Sequence, residues 1–239
     1  MDATPRRTSS AQSVLVNAGR VTLAGDLVVP GGAQGVVLFA HGSGSSRFSP
    51  RNRFVAGVLQ DAGLATLLID LLTPEEEQVD MRTAQLRFDI GLLAERLVGA
   101  IDWLLDNPAT RQLRIGLFGA STGAGAALVA AAERPEAVAA VVSRGGRPDL
   151  AGIHLQRVKA PTLLIVGGND VPVIELNKQA MRLISAQTQL VIVPGASHLF
   201  EEPGALEEVA RLARDWFLRY LTPAPPTYGG AERRPAPQA

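Results

Sequence analysis

Ile115-Gly116-Leu117-Phe118-Gly119-Ala120-Ser121-Thr122-Gly123-Ala124-Gly125 opens a run that carries no charged residue through Ala132. Its 18 positions are long enough for a membrane span. The four glycines lower helix propensity, however, and divide the run into a strand, a tight turn and a buried, alanine-rich helix. Gly119-Ala120-Ser121-Thr122-Gly123 then falls at a sharp strand-to-helix turn, the context in which G-x-S-x-G is a nucleophile elbow. Glycines relieve crowding at such a turn, and the Ser121 hydroxyl is left projecting from the C-terminal edge of a sheet. A helix N-terminus beside it favours negative charge. A serine in a glycine-rich turn is otherwise an ordinary turn residue, so the reading depends on what the rest of the chain supplies.

Outward from this stretch, continuous apolar runs at residues 36–40, 65–69, 138–142, 162–166 and 190–193 read, like 115–118, as strands buried on both faces. Helical segments lie between them. The clearest spans residues 83–105, where Leu86, Ile90, Leu93, Leu97, Ile101 and Leu104 recur at three- and four-residue spacing before Pro108. Others are expected at 52–61, 122–133, 175–184 and 205–221. Strand and helix alternating in this way imply a parallel sheet covered on both sides. Upstream, residues 14–16 and 21–29 flank Asn17-Ala18-Gly19-Arg20 and suit a hairpin. The expected organisation is a flexible N-terminal segment at 1–12, one α/β domain at 13–221 and an extended Pro-rich tail at 222–239 with little to bury.

A serine hydroxyl is a weak nucleophile at neutral pH and needs a base, which in turn needs an acid to hold its tautomer. Asp170 ends Gly167-Gly168-Asn169-Asp170, directly after one expected strand, and His198 ends Pro194-Gly195-Ala196-Ser197-His198, directly after the next. The order Ser, Asp, His is that of G-x-S-x-G hydrolases. Asp170 has the alternative of capping its loop, and His198 that of a surface histidine. Acid that protonates the base should lower activity, because an imidazolium cannot accept the hydroxyl proton.

With these residues in order, the chain resembles the α/β-hydrolase superfamily, and within it the dienelactone-hydrolase-like proteins. The likeness rests on His41-Gly42-Ser43-Gly44 after the third strand, the Ser121 elbow, Asp170 after the seventh strand and His198 after the eighth. It implies an α/β-hydrolase fold with a mostly parallel eight-stranded sheet and helices on both faces. It implies an oxyanion hole from the backbone amides of Ser43 and Thr122, with Gly42 and Gly44 permitting close approach. The implied activity is a serine carboxylesterase on small esters or lactones, with no metal and no cofactor. Dienelactone hydrolases proper use a cysteine nucleophile, so their own lactone substrate does not carry over to Ser121. The segment 194–204 also resembles hydrolase domains that are fused, in some proteins, to a phosphoribosyltransferase; no second domain is expected within 239 residues. The short stretch between Arg144 and Thr162 leaves room for one helix and two loops, so no large cap domain is expected and the site should be open.

Other features bound the function. Twenty-three basic residues balance 23 acidic ones, which leaves no electrostatic footprint for nucleic acid or anionic lipid. Cysteine is absent, excluding disulfides, zinc thiolates and a cysteine nucleophile. No apolar stretch follows Arg6 and Arg7 that could serve as a signal-peptide core. The expected partner is therefore a small molecule, in a cytoplasmic setting, with oligomeric state left open. Arg144 should emerge on the Ser121 edge, either to bind a substrate carboxylate or to form a salt bridge. His41 is expected to shape the oxyanion loop and His154 to serve packing or solvent. Asp70 and the run Glu75-Glu76-Glu77 either border the pocket or form a solvated loop. Two rival functions stand beside esterase activity. A ligand receptor on a hydrolase scaffold could keep the triad with little turnover. The glycines at 119, 123 and 125 also have a spacing that short-chain dehydrogenases use for a nicotinamide dinucleotide, but Tyr220 and Tyr228 lack a lysine four residues on.

Overall fold

Strands without polar alternation need cover on both faces, and the chain supplies it with two groups of helices. The computed structural model describes residues 10–222; most of the expected N-terminal segment and nearly all of the tail lie outside the described residues. Strands β1 (Gln12–Ala18), β2 (Val21–Val28), β3 (Gly35–Ala40), β4 (Ala65–Ile69), β5 (Arg114–Ala120), β6 (Val138–Arg144), β7 (Thr162–Gly167) and β8 (Thr188–Val193) form one sheet. Their order is β1-β2-β4-β3-β5-β6-β7-β8. β2 pairs antiparallel with β1 and β4, and every other pair is parallel.

The helices are α1 (Pro50–Asp61), α2 (Pro74–Thr83), α3 (Ile90–Asp106), α4 (Thr122–Glu133), α5 (Val171–Leu183) and α6 (Ala205–Leu221). Successive side chains of a strand point to opposite faces, and β3 shows the consequence. Val36 and Leu38 join Leu97, Ile101 and Leu104 of α3 in one core. Val37 and Phe39 join Leu59 of α1 and Phe217 of α6 in the other. Because β3 and β5 to β8 run parallel, the loops after them gather at one edge of the sheet. That edge holds Ser43, Ser121, Asp170 and His198.

Four sequence expectations are corrected. The helix expected at 83–105 is two helices and a turn. Ala84, in the left-handed region at φ 53°, ends α2, Leu86–Phe88 is a 3₁₀ turn, and the Asp89 carboxylate accepts from the Leu92 amide to start α3. The acidic run 75–77 is not a loop but the first turn of α2. There Thr73 and Glu76 form a reciprocal capping box, and the three carboxylates meet the positive end of the helix dipole. β8 is not buried on both faces: as the last strand it has a neighbour on one side only, and of its residues just Val193 is buried. α5 also starts earlier than expected, at Val171, because Pro172 in the first turn is compatible with a helix start. Between β6 and β7 a 3₁₀ segment, Pro148–Arg157, kinks at Gly152. It packs against α4 and α5, and among the described residues no large cap covers the sheet edge.

Candidate active site

At the end of β5 the backbone of Ser121 turns to φ 51°, ψ −121°, a region that costs a non-glycine residue about 1–3 kcal/mol. The surroundings impose that turn. A Cβ on Gly119 would lie 2.4 Å from the Ala124 Cα, and one on Gly123 would lie 2.4 Å from the His41 carbonyl oxygen. Only glycine lets α4 rise this close to its own strand and to the end of β3. Further backbone bonds hold the elbow: the Ser121 amide donates to the Arg144 carbonyl at 3.2 Å, and the Arg147 amide donates to the Ser121 carbonyl at 3.1 Å.

Asp170 and His198 come to the same point from the next two loops. The Asn169 amide donates to the Ala196 carbonyl at 2.9 Å, and the Asn169 side chain donates to the Gly195 carbonyl at 2.8 Å, which joins the two loops. His198 Nδ1 lies 2.6 Å from Asp170 Oδ2, and His198 Nε2 lies 3.4 Å from Ser121 Oγ. A bond to a carboxylate places the imidazole proton on Nδ1 and leaves Nε2 as the acceptor facing the hydroxyl. The second distance is long for a hydrogen bond, as is common before substrate tightens such a contact. Asp170 stands at the N-cap of α5 without capping it through its side chain; the carboxylate is engaged by His198, and the loop-capping alternative is set aside.

Glu202 is a neighbour that sequence reasoning missed. Its carboxylate accepts from the Ser197 amide at 2.9 Å and so braces the residue before His198. These backbone bonds hold the Glu202 carboxyl below its ordinary range. A depressed pKa in the folded state means that the brace is in place above the usual carboxylate range and is lost as pH falls through the lowered value. Glu202→Gln is expected to lower activity by about three- to tenfold near neutral pH, measured against an unchanged thermal midpoint; an unaltered rate would show that the brace is dispensable.

The loop of residues 41–45 is held from behind by His41. His41 Nδ1 donates to the Gly42 carbonyl at 2.9 Å, and its Nε2 accepts from the Leu71 amide at 3.1 Å. Burial lowers its pKa, which favours the neutral ring. His41 thus ties the loop after β3 to the residues after β4. Gly42 and Ser43 line both the cleft that contains Ser121 and a small neighbouring cavity, whereas Gly44 lines the small cavity and not the cleft. The Ser43 amide donates to Thr122 Oγ1 at 2.9 Å. The two residues expected to form an oxyanion hole are thus bonded to each other.

Arg144 overturns the salt-bridge alternative. Its residue exposure is 5%, yet no carboxylate meets it among the described residues. One terminal nitrogen donates to Asn52 Oδ1 at 3.3 Å, and Nε has no partner. Burial, and then the charge of Arg51, push its pKa down to about 10, so it remains a cation at neutral pH. Arg51, whose Nε is also unpaired, binds Glu201 at 3.4 Å. Both arginines line the cleft of about 250 Å³ that holds Ser121 and His198. The other candidates are committed elsewhere. Asp70 pairs with Arg47, Glu76 binds Arg96 at 2.7 Å, and His154 lies in the 3₁₀ segment against the Ala151 carbonyl at 3.1 Å.

Residues 23–222 match the model of the dienelactone hydrolase family. A dienelactone hydrolase structure from Anabaena variabilis is 67% identical, with a TM-score of 0.89, covering 90% of this chain and all of that one. A Mycobacterium tuberculosis protein with the provisional name phosphoribosyl transferase is 61% identical over 210 residues, which is 88% of this chain and 46% of that protein. The chain therefore spans about half the length of this curated relative. The structure of Est1E from Butyrivibrio proteoclasticus, at 15% identity and a TM-score of 0.73 over 88% of this chain and 98% of that one, shares the fold. No helix among the described residues is long and apolar enough to cross a membrane.

Proposed function

The chain belongs to the dienelactone hydrolase family, and we propose that within this family of hydrolases it cleaves small carboxylic esters or lactones through an acyl-enzyme on Ser121. One observation carries the reading: Ser121, on a strained elbow, stands in line with His198 and Asp170 at 3.4 Å and 2.6 Å. His198 Nε2 takes the hydroxyl proton as Ser121 Oγ adds to the substrate carbonyl carbon. The resulting imidazolium is stabilised by Asp170 and returns the proton to the leaving alkoxide. Water then repeats the sequence on the acyl group and frees Ser121. The amides of Ser43 and Thr122 receive the negative oxygen, and loss of one such donor costs about 10²- to 10³-fold in rate. The transferase name belongs to a protein of which this chain spans 46%, and phosphoribosyl transfer is not assigned to it.

Arg144 defines the favoured substrates. A buried cation without an anion is costly by several kcal/mol, and a negative group on the substrate would supply the missing partner at the wall of the Ser121 cleft. Arg144→Gln is accordingly expected to raise KM for a carboxylate-bearing ester by about 10- to 100-fold, with little change for a neutral ester of equal size. Equal losses on both substrates would contradict this role. The basic activity is tested by saturable turnover of short-chain nitrophenyl esters. A receptor with a preserved triad would bind such esters without turning them over.

A further inference from the structure

The serine-hydrolase reading, on which this inference rests, requires the Ser43 amide to meet the substrate's carbonyl oxygen, and in the structure that amide is already engaged. It donates to Thr122 Oγ1 at 2.9 Å across 79 residues of sequence. Thr122 is 5% exposed whereas Ser43 is exposed, so the bond runs from the wall of the site to its rim. The hydroxyl oxygen occupies the acceptor position on Ser43 that an oxyanion must take. It also belongs to the residue whose own amide is the second donor. That second amide, in the first turn of α4, has no acceptor within the helix.

Three physical facts give the contact a purpose. Ser43 is exposed at the mouth of the cleft, and without an acceptor from the protein its amide would bond to water and would not be held in one direction. A threonine hydroxyl satisfies it and keeps the loop of residues 41–45 aimed while no substrate is bound. Threonine also retains two χ1 rotamers within a helix, so the oxygen can turn away without disturbing the elbow. A neutral hydroxyl is moreover a weaker acceptor than an oxyanion, since charge-assisted hydrogen bonds are about twice as strong.

We propose that the Thr122 hydroxyl is the resting ligand of the oxyanion hole and gives up the Ser43 N–H to the substrate oxygen as the tetrahedral adduct forms. One hydrogen bond to Ser43 is exchanged for a stronger one, oxygen for oxygen, and no covalent bond beyond those of the acyl transfer changes. Thr122 thereby acts twice, through its amide on the oxyanion and through its hydroxyl on the readiness of Ser43.

The test uses butylboronic acid, whose boron accepts the Ser121 oxygen to give a tetrahedral anion, with the proton passing to His198. Inhibition constants are compared for Thr122→Ala, which lacks the hydroxyl, and Thr122→Ser, which keeps it. The ¹⁵N–¹H signal of Ser43 is followed alongside in the unsubstituted protein. Thr122→Ala is expected to bind the boronic acid about three- to tenfold more tightly than Thr122→Ser, because it has no internal bond to break. The Ser43 signal is expected to move when the boronic acid is added, and to sit apart from its usual position in unliganded Thr122→Ala. Equal or weaker binding by Thr122→Ala would overturn the proposal, as would a Ser43 signal that boronic acid leaves in place. The signal is read in the unsubstituted protein and so does not depend on either variant folding. A fluorophosphonate probe separates the two levels of inference. If it labels Ser121 while the boronic acid comparison fails, the resting-ligand role alone falls; if it does not label Ser121, the hydrolase reading falls and takes this role with it.

Discussion

Replacing Ser121 by alanine is expected to lower kcat for a short-chain ester by about 10⁴- to 10⁶-fold, because among the described residues the hydroxyl opposite His198 Nε2 is that of Ser121. Removing His198 as well should add little, since members of a triad act as one unit. Replacement by glycine separates chemistry from folding at the same position. Ser121 holds φ 51°, at a cost of about 1–3 kcal/mol, and glycine adopts that region freely at an entropic cost of roughly 0.5–1 kcal/mol. Ser121→Gly should therefore be as inactive as Ser121→Ala while its thermal midpoint rises by about 2–4 °C. A midpoint below that of the alanine variant would mean that the elbow stores no strain.

The second large effect is expected at Asp170. Asparagine there keeps the shape of the side chain but offers Nδ1 of His198 an N–H in place of an oxygen, which favours the tautomer with the proton on Nε2. The base would then point a hydrogen at Ser121. The expected loss is about 10³- to 10⁴-fold in kcat, with KM nearly constant because Asp170 does not line the Ser121 cleft. A loss confined to KM would assign Asp170 to substrate binding instead.

Much of this arrangement is legible in the sequence because the responsible forces are local. Apolar runs without alternation have to become doubly covered strands, and Gly119 and Gly123 on either side of Ser121 have to mark a close approach. A loop after a parallel strand has to reach the same sheet edge as its neighbours, which places Asp170 and His198 beside Ser121. The start of α3 is obscured because Leu86 continues the spacing of Ile90 and Leu93, although Ala84 and Asp89 break the helix between. The Thr73-Pro74-Glu75-Glu76 sequence carries the capping-box pattern that marks the start of α2, and it is the local signal for that helix. The edge position of β8 depends on strand order, which local pattern does not carry. The remaining features arise from contacts between distant segments. Arg144 meets Asn52 of α1 and, at 6.0 Å, the ring of Phe200 in place of an acid, and the Ser43–Thr122 bond joins residues 79 apart. Neither has a local signature. Glu202 lies four residues beyond His198, and only the fold of that loop turns its carboxylate toward Ser197.

The central claim is that Ser121 is an activated nucleophile, and covalent labelling reads this directly. A serine-directed fluorophosphonate is incubated with the protein near neutral pH, and the modified peptide is mapped by mass spectrometry. One equivalent of label is expected on Ser121, lost in Ser121→Ala and strongly slowed in the His198→Ala variant. An unlabelled Ser121, or label spread over surface serines at the same rate with and without His198, would contradict it.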